Sequence, residues 1–271
     1  MSDRPDLSQA LATARAIAEE AAVLALEGYR SDLQIQKKGE IDLLTDYDLR
    51  CEALIRARLA DSFPKHAVVG EEGQDTGSGS LVWYVDPIDG TTNYAHGHPN
   101  FSVSIALYDG AVGLVGVVAA PALGVVWSAA KGMGALRNDV PCRVSRCDEL
   151  TEALCATGFP YDRRTTEDDN LDEFHAFLKC TQGIRRGGSA AIDLAMVADG
   201  TFDAYWEQRL NPWDMCAGAL LILEAGGRLS DYQGGPADPR TGRLVATNGR
   251  LHEAVVEVLG RARGEVESRP R

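Results

Sequence analysis

An apolar run ends on two carboxylates in Trp83-Tyr84-Val85-Asp86-Pro87-Ile88-Asp89-Gly90-Thr91-Thr92-Asn93. The run reads as a strand, so Asp86 and Asp89 stand where the strand gives out and a ligand can reach them. Pro87 stiffens the connection between them. Two carboxylates aimed at one point repel strongly unless a cation lies between them, and a hard divalent metal ion is the economical partner. A helical turn beginning at Gly90, Thr91 and Thr92 would direct its free N–H groups toward an anion such as phosphate. The same letters also suit a tight surface turn in which each aspartate caps backbone amides.

Two further acidic segments bear on that point. Gly70-Glu71-Glu72-Gly73 follows the apolar run Ala67-Val68-Val69, so a second strand end presents acids nearby; a solvated acidic loop is the alternative. Far downstream, Asn211-Pro212-Trp213-Asp214 opens an apolar helix that stops at Gly226-Gly227. An Asp at a helix start is ordinarily an N-cap, and on its own residues Asp214 reads as one. His96 and His98 invite a general-acid role, but metal ions can activate nucleophile and leaving group alike, and loop hydrogen bonding is the plainer reading.

These residues need a frame. Residues 7–27 place Leu7, Leu11, Ala14, Ile17, Ala21 and Leu24 on one helical stripe, with Asp6 or Ser8 as start and Gly28 as stop. A second helix is expected from Thr45 or Asp46, with Leu49, Ala53 and Leu59 inward and a break at Phe63-Pro64. From 67 to 126 short apolar runs alternate with turn residues and read as strands. Helices return at 168–180, 189–199, 214–225 and 252–262, interleaved with strands near 153–157, 202–206 and 243–247. The mixture predicts stacked layers of helix and sheet. The uncharged stretch 111–130 has the length of a membrane span, but its glycines, Pro121 and Val-rich pattern fit two buried strands joined by a turn at 121–124. One unit over 1–271 is expected, divisible near 150 into a half carrying the metal and phosphate residues (1–150) and a half carrying the substrate wall and Asp214 (151–264), with a flexible tail at 265–271.

Bulk properties exclude some functions. The 271 residues carry 40 acidic and 27 basic side chains, a formal charge of −13, which opposes a phosphate backbone; local basic clusters such as Arg163/Arg164 and Arg185/Arg186 are no more than pairs. Direct nucleic-acid binding and membrane insertion are therefore not expected. The six cysteines form no CxxC pair and have no histidine at zinc-ligand spacing, so reduced, mostly buried thiols are expected. The N-terminal segment lacks a basic start followed by an apolar core, which points to a cytoplasmic address.

Three blocks together resemble the inositol monophosphatase family, within the lithium-sensitive, metal-dependent phosphatases: GEEG at 70–73, WYVDPIDGTTNYAHGHPNFSVSIAL at 83–107 and WDMCAGALLILEAGG at 213–227. TGFPYDRR at 157–164 and RRGGSAAIDLAMVADGTFDAYWE at 185–207 also look like its bacterial members, so the likeness covers nearly the whole chain. The resemblance implies an α/β/α/β/α sandwich of the inositol monophosphatase and fructose-1,6-bisphosphatase type, using two to three Mg²⁺. By that analogy Glu71, Asp86 and the Ile88 carbonyl hold one ion, and Asp86, Asp89 and Asp214 hold a second. Glu71 also serves a third, weaker site. Thr91 and Asp48, from the element Thr45-Asp46-Tyr47-Asp48, orient the attacking water. Lys37 takes the place of the family's basic residue five positions before an aspartate, here Asp42, although Lys38 is adjacent. Gly90, Thr91 and Thr92 face the phosphate. Glu207, seven positions before Asp214, bonds substrate hydroxyls beside Gly188, Ser189 and Ala190, with Asp89 serving a second hydroxyl. Two departures from the family pattern stand out: Gly73, where Ser or Thr is usual, and Asp46, an extra carboxylate near the site.

The function so implied is hydrolysis of myo-inositol monophosphate by metal-activated water. Histidinol phosphate, fructose 1,6-bisphosphate and 3′-phosphoadenosine 5′-phosphate are the competing substrates. A different class of role, binding a regulatory protein partner, stays open because some bacterial relatives associate with the RNA-synthesis machinery. A homodimer is expected by the same likeness.

Overall fold

The computed structural model describes residues 5–37, 39 and 42–268. The chain opens with α1 (Leu7–Gly28), the hairpin of β1 (Ile35–Lys37) and β2 (Leu43–Thr45), α2 (Asp46–Ser62), β3 (Ala67–Gly70), β4 (Leu81–Asp89) and the short α3 (Thr91–Ala95). A meander follows: β5 (Ser102–Asp109), β6 (Val112–Ala120), β7 (Val125–Ala130), β8 (Ala135–Arg137) and β9 (Val140–Cys142). The remainder alternates β10 (Leu154–Thr157), α4 (Leu171–Leu178), β11 (Gly183–Arg185), α5 (Ala190–Ala198), β12 (Ala204–Gln208), α6 (Pro212–Glu224), β13 (Arg228–Ser230), β14 (Arg243–Thr247) and α7 (His252–Ser268).

The strands make a seven-stranded sheet in sequential order β3 to β9, a five-stranded sheet ordered β11-β10-β12-β14-β13, and the separate β1–β2 pair. Strand alternation explains why the larger sheet is covered on both sides. Val103, Ile105 and Leu107 of β5, with Val115, Val117 and Ala119 of β6, pack beneath α1 and α2. Their neighbours Ala106, Tyr108, Val118 and Ala120 point the other way, onto α5 and α6. Those two helices in turn meet Tyr205, Leu244 and Ala246 of the smaller sheet, whose far face, with Trp206 and Val245, packs under Phe177 of α4 and Val255 and Leu259 of α7. The layers therefore run α1/α2, large sheet, α5/α6, small sheet, α4/α7, as expected from the sequence. The stretch 111–130 is β6 and β7, paired antiparallel around a 3₁₀ turn at Pro121–Leu123.

Some local expectations change. Gly28 is the last residue of α1 and not its stop signal; a Cβ there would overlap the Tyr47 ring and the Tyr94 hydroxyl, so packing accounts for the glycine. In α2 the buried face is Asp48, Cys51, Glu52, Ile55 and Leu59, while Leu49 is 46% exposed and Ala53 also faces outward. Hydrophobicity misled there because two acids, Asp48 and Glu52, are buried by the hydrogen bonds they accept. The segment expected as a tail from 265 begins as helix, since α7 continues to Ser268; residues 269–271 lie outside the described residues.

In the helix layer between the sheets, close contacts use small residues. A Cβ on Gly116 of β6 would sit 2.8 Å from the Ala217 carbonyl oxygen, and one on Gly218 would overlap the Leu194 side chain of α5. Gly218→Val should therefore force α5 and α6 apart and cost about 1–3 kcal/mol as overpacking. The check is the chemical denaturation midpoint, and an unchanged midpoint would show that the layer can yield.

Candidate active site

Asp86 and Asp89 are three positions apart, and in a regular strand an odd separation would put them on opposite faces. The pairing of β4 with β5 shifts between them: Asp86 lies opposite Ser104 and Asp89 opposite Ser102, so three steps on β4 match two on β5. This bulge, at Pro87 and Ile88, returns Asp89 to the face of Asp86. Asp86 Oδ1 accepts the Ile88 N–H at 3.0 Å, which fixes its rotamer. Asp89 reaches the start of α5, where its Oδ2 accepts from Ser189 Oγ at 2.5 Å and the Ala191 N–H at 2.8 Å, and Oδ1 from the Ala190 N–H at 3.3 Å.

The other acids are set by helix starts. Asn211 is the N-cap of α6 and Asp214 the third helical residue; Asp214 Oδ2 closes a capping box by accepting the Asn211 N–H at 2.6 Å. The N-cap reading of Asp214 is thus off by three positions, and one carboxylate oxygen is committed to the helix. Asp48 repeats the device on α2: its Oδ2 accepts Thr45 N at 2.8 Å and Thr45 Oγ1 at 2.5 Å, while Oδ1 accepts Thr91 Oγ1 at 3.1 Å. Thr91 Oγ1 also lies 3.0 Å from the Ile88 carbonyl. Glu71 stands in a loop held from behind by buried Glu52, whose carboxylate accepts the Glu72 and Gly73 N–H groups at 2.7 Å each and pairs with Arg56 at 2.6 Å. Gly73, the departure from the family's Ser or Thr, is explained there: a Cβ would lie 2.7 Å from Glu52 Oε1.

Ligand oxygens of Asp86, Asp89 and Asp214 fall within 4.8 Å of one another. Burial, then the negative charge of neighbouring Glu71 and Asp89, pushes Asp86 well above the usual carboxylate range. Burial and Asp89 do the same to Asp214. Asp89 rises to about 6, because burial outweighs the Ser189 and α5 hydrogen bonds. Two buried acids and a partly buried third, mutually repelling and with oxygens converging on one point, fit a divalent cation, which removes the repulsion and replaces lost hydration.

Glu71, Asp86, Ile88, Asp89, Gly90, Thr91, Gly188, Ser189, Ala190, Glu207 and Asp214 all line one cleft of about 100 Å³. Thr92, Asp48 and Lys37 do not; Asp48 acts from behind Thr91, and Lys37 is exposed at the end of β1. Lys38 lies outside the described residues. Glu207 is buried at the end of β12, accepts the Tyr205 hydroxyl at 2.5 Å, and is pushed up to about 7 chiefly by burial. Sequence reasoning missed Arg186, Asp193 and Tyr161, which share the cleft. Tyr161 lies inside the TGFPYDRR block, and Asp193 sits one helical turn beyond Ser189, so both were within reach of the motifs quoted. Glu52 carried no signal, because a buried acid on an amphipathic helix looks like any exposed one.

The model of the inositol monophosphatase family matches residues 6–263. The chain belongs to that family. Its members hydrolyse phosphomonoesters with metal ions, and the three-aspartate cluster is a site that can hold one. Among relatives, the inositol-1-monophosphatase of Synechocystis sp. is 44% identical over 229 residues, covering 83% of this chain and 80% of that one. The Nus factor SuhB of Pseudomonas aeruginosa is 41% identical over 236 residues, covering 84% and 86%. Among solved structures, the inositol monophosphatase of Anabaena (Nostoc) sp. superposes with a TM-score of 0.88 at 39% identity, covering 95% of this chain and 97% of that one. Among the described residues no helix is long and apolar enough to cross a membrane.

The raised acids make metal binding and protonation compete. Asp89 and Glu207 hold protons in the folded state up to about 6 and about 7, above their ordinary 3.8 and 4.5, so each favours folding at low pH and opposes it as pH rises through that window. A divalent cation reverses the penalty for the aspartates. The gain in Tm on adding Mg²⁺ to EDTA-treated protein should therefore be large near pH 8 and shrink toward pH 5. Thermal scans with and without EDTA across that range provide the check; a gain independent of pH would count against the aspartates as ligands.

Proposed function

We propose that this chain hydrolyses myo-inositol monophosphate to inositol and inorganic phosphate, using two to three Mg²⁺ held by Glu71, Asp86, the Ile88 carbonyl, Asp89 and Asp214. The carrying observation is the meeting of Asp86, Asp89 and Asp214 oxygens within 4.8 Å. Mg²⁺ bound there lowers the pKa of a water toward neutrality and offsets charge on the phosphate and leaving oxygens. The residues of the chain do the rest. Thr91, whose hydroxyl is placed by Asp48 and the Ile88 carbonyl, accepts the proton of the attacking water while passing its own to Asp48. The water oxygen forms the new P–O bond, the ester P–O bond breaks, and the departing alkoxide takes a proton from solvent. The backbone at Gly90 and Thr91, continuing into Thr92, orients the phosphate, and in this reading Lys37, exposed at the end of β1 and outside the cleft lining, adds positive charge only if its side chain swings in.

Glu207 accepts hydrogen bonds from ring hydroxyls, with Gly188, Ser189 and Ala190 forming the adjoining wall. The relatives named inositol-1-monophosphatase support this ester over histidinol phosphate, fructose 1,6-bisphosphate and the bisphosphorylated nucleotide. Relatives named Nus factor SuhB support an added role in binding a protein partner; the charge of −13 opposes direct contact with RNA. The protein acts in the cytoplasm as a homodimer in this reading.

The deciding measurement is kcat/KM with Mg²⁺ on those four esters. Inositol monophosphate should lead, and Asp214→Asn should reduce its turnover by at least roughly a hundredfold with folding retained, since the site loses a charged ligand. A leading rate on another ester moves the substrate; near-normal Asp214→Asn turnover removes the metal assignment. Glu207→Gln should raise KM for inositol monophosphate while an aryl phosphate, which offers no ring hydroxyls, is hydrolysed as before. Steady-state kinetics on both esters test this, and equal loss on the two would move Glu207 into the catalytic machinery.

A further inference from the structure

Residues 158–170 supply Gly158, Phe159, Pro160 and Tyr161 to the cleft without forming a strand or helix. They are fastened along β12 instead. Trp206 Nε1 donates to Asn170 Oδ1 at 2.9 Å, and Asn170 Nδ2 donates to Thr157 Oγ1 at 2.8 Å and the Gly158 carbonyl at 2.6 Å. Gln208 Nε2 donates to the Asp168 carboxylate at 2.9 Å and its carbonyl at 3.1 Å. Arg209 pairs with Asp162 and donates to Thr166 Oγ1 at 3.1 Å. Trp206 and Gln208 of β12, and Arg209 just after it, thus hold successive points of one strap.

Asp168 is also gripped from outside. Arg263 of α7 lies 2.9 Å from its carboxylate and Arg243 of β14 3.1 Å, while a second Arg263 nitrogen reaches buried Glu173 at 2.7 Å. Burial alone would push Asp168 up, yet the bonds from Gln208 and Arg263 leave it below the usual range. The far end of the strap bears on the substrate wall: Gly158 lies so close to the Glu207 carboxylate that a Cβ would overlap it.

We infer that Arg263, on the C-terminal helix, is a positioning residue for substrate recognition: through Asp168 it fixes the strap on β12 and so sets the gap between the Tyr161 wall and Glu207. This rests on the reading of the cleft as a polyol phosphate site. The metal-facing acids are held by other partners, namely the bulge of β4, the α5 start and the α6 cap. Loss of Arg263 therefore separates substrate positioning from chemistry.

Arg263→Gln and Asp168→Asn in the full chain are compared with the unaltered enzyme on inositol monophosphate and on an aryl phosphate. KM for inositol monophosphate should rise about tenfold in each variant with kcat within about twofold, and the aryl ester should be unaffected. The double variant should lose no more than the worse single one, because both remove the same network. Arg263→Lys should recover part of the KM. Equal loss on both esters, or an unchanged KM in folded Arg263→Gln, overturns the assignment. If Arg263→Gln melts early because Glu173 has lost its partner, Asp168→Asn decides, since it leaves the Arg263–Glu173 pair in place. If the unaltered chain does not turn over inositol monophosphate, the substrate reading fails, and amide hydrogen exchange at 158–170 becomes the readout. Faster exchange there in Arg263→Gln supports the strap; unchanged protection overturns it.

Discussion

Everything near the cleft answers to one electrostatic problem: buried Asp86 and Asp89 and partly buried Asp214 bring oxygens within 4.8 Å of one another, and the charge of Glu71 acts on the same point. Carboxylates in that position either take up protons or share a cation. Neither outcome is available unless the acids stay where they are, so each is tied by a backbone device. A bulge turns Asp89 to the side of Asp86, the α5 amides hold it there, and a capping box holds Asp214. The repulsion is resisted by hydrogen bonds that belong to secondary structure.

The same economy serves Thr91. Asp48 closes the capping box of α2 with one oxygen and receives Thr91 with the other, so a helix start becomes the anchor of a threonine hydroxyl. Buried Glu52, one turn further along α2, holds the Glu71 loop by two amides. A single helix thereby places both the Thr91 partner and the loop that carries Glu71 to the cleft, and its apolar content matters less than its two buried acids. That is why its hydrophobic pattern was a poor guide to its inward face.

The layered fold gives these devices their spacing. The larger sheet is built wholly from residues 67–142 and the smaller from 154–247, while α5 and α6 lie between them. Small residues at Gly116, Ala217 and Gly218 let α6 approach the larger sheet and α5 closely, and Asp214 of α6 and Ser189 before α5 line the same cleft as the end of β4. The Glu207 side of the cleft follows from the smaller sheet, since Glu207 and the segment 158–161 beside it both depend on β12.

What the sequence by itself determined is a layered arrangement of helix and sheet with acids at strand ends and helix starts, and through its resemblance to a family the order of those layers. The strand before Asp86, the GEEG turn, the Asn-Pro-Trp-Asp helix start and the valine-rich meander are local patterns, and local patterns survive without coordinates. Together they pointed to Asp86, Asp89 and Glu71 as candidate ligands of one cation, while Asp214 as a ligand and the roles of Thr91, Asp48 and Glu207 came from the resemblance to the inositol monophosphatase family. Only the tertiary structure decided which side of each element those residues occupy. The β4 bulge is a matter of register with β5, invisible in β4 alone. The burial of Glu52, the displacement of Leu49 to the surface and the capping role of Asp214 depend on partners 20 or more residues away or on an exact helix start. The fastening of 158–170 by Gln208, Arg243 and Arg263 joins four distant segments. Pairings of that kind depend on where the chain returns in space, and a one-dimensional pattern of apolar and polar residues does not contain it.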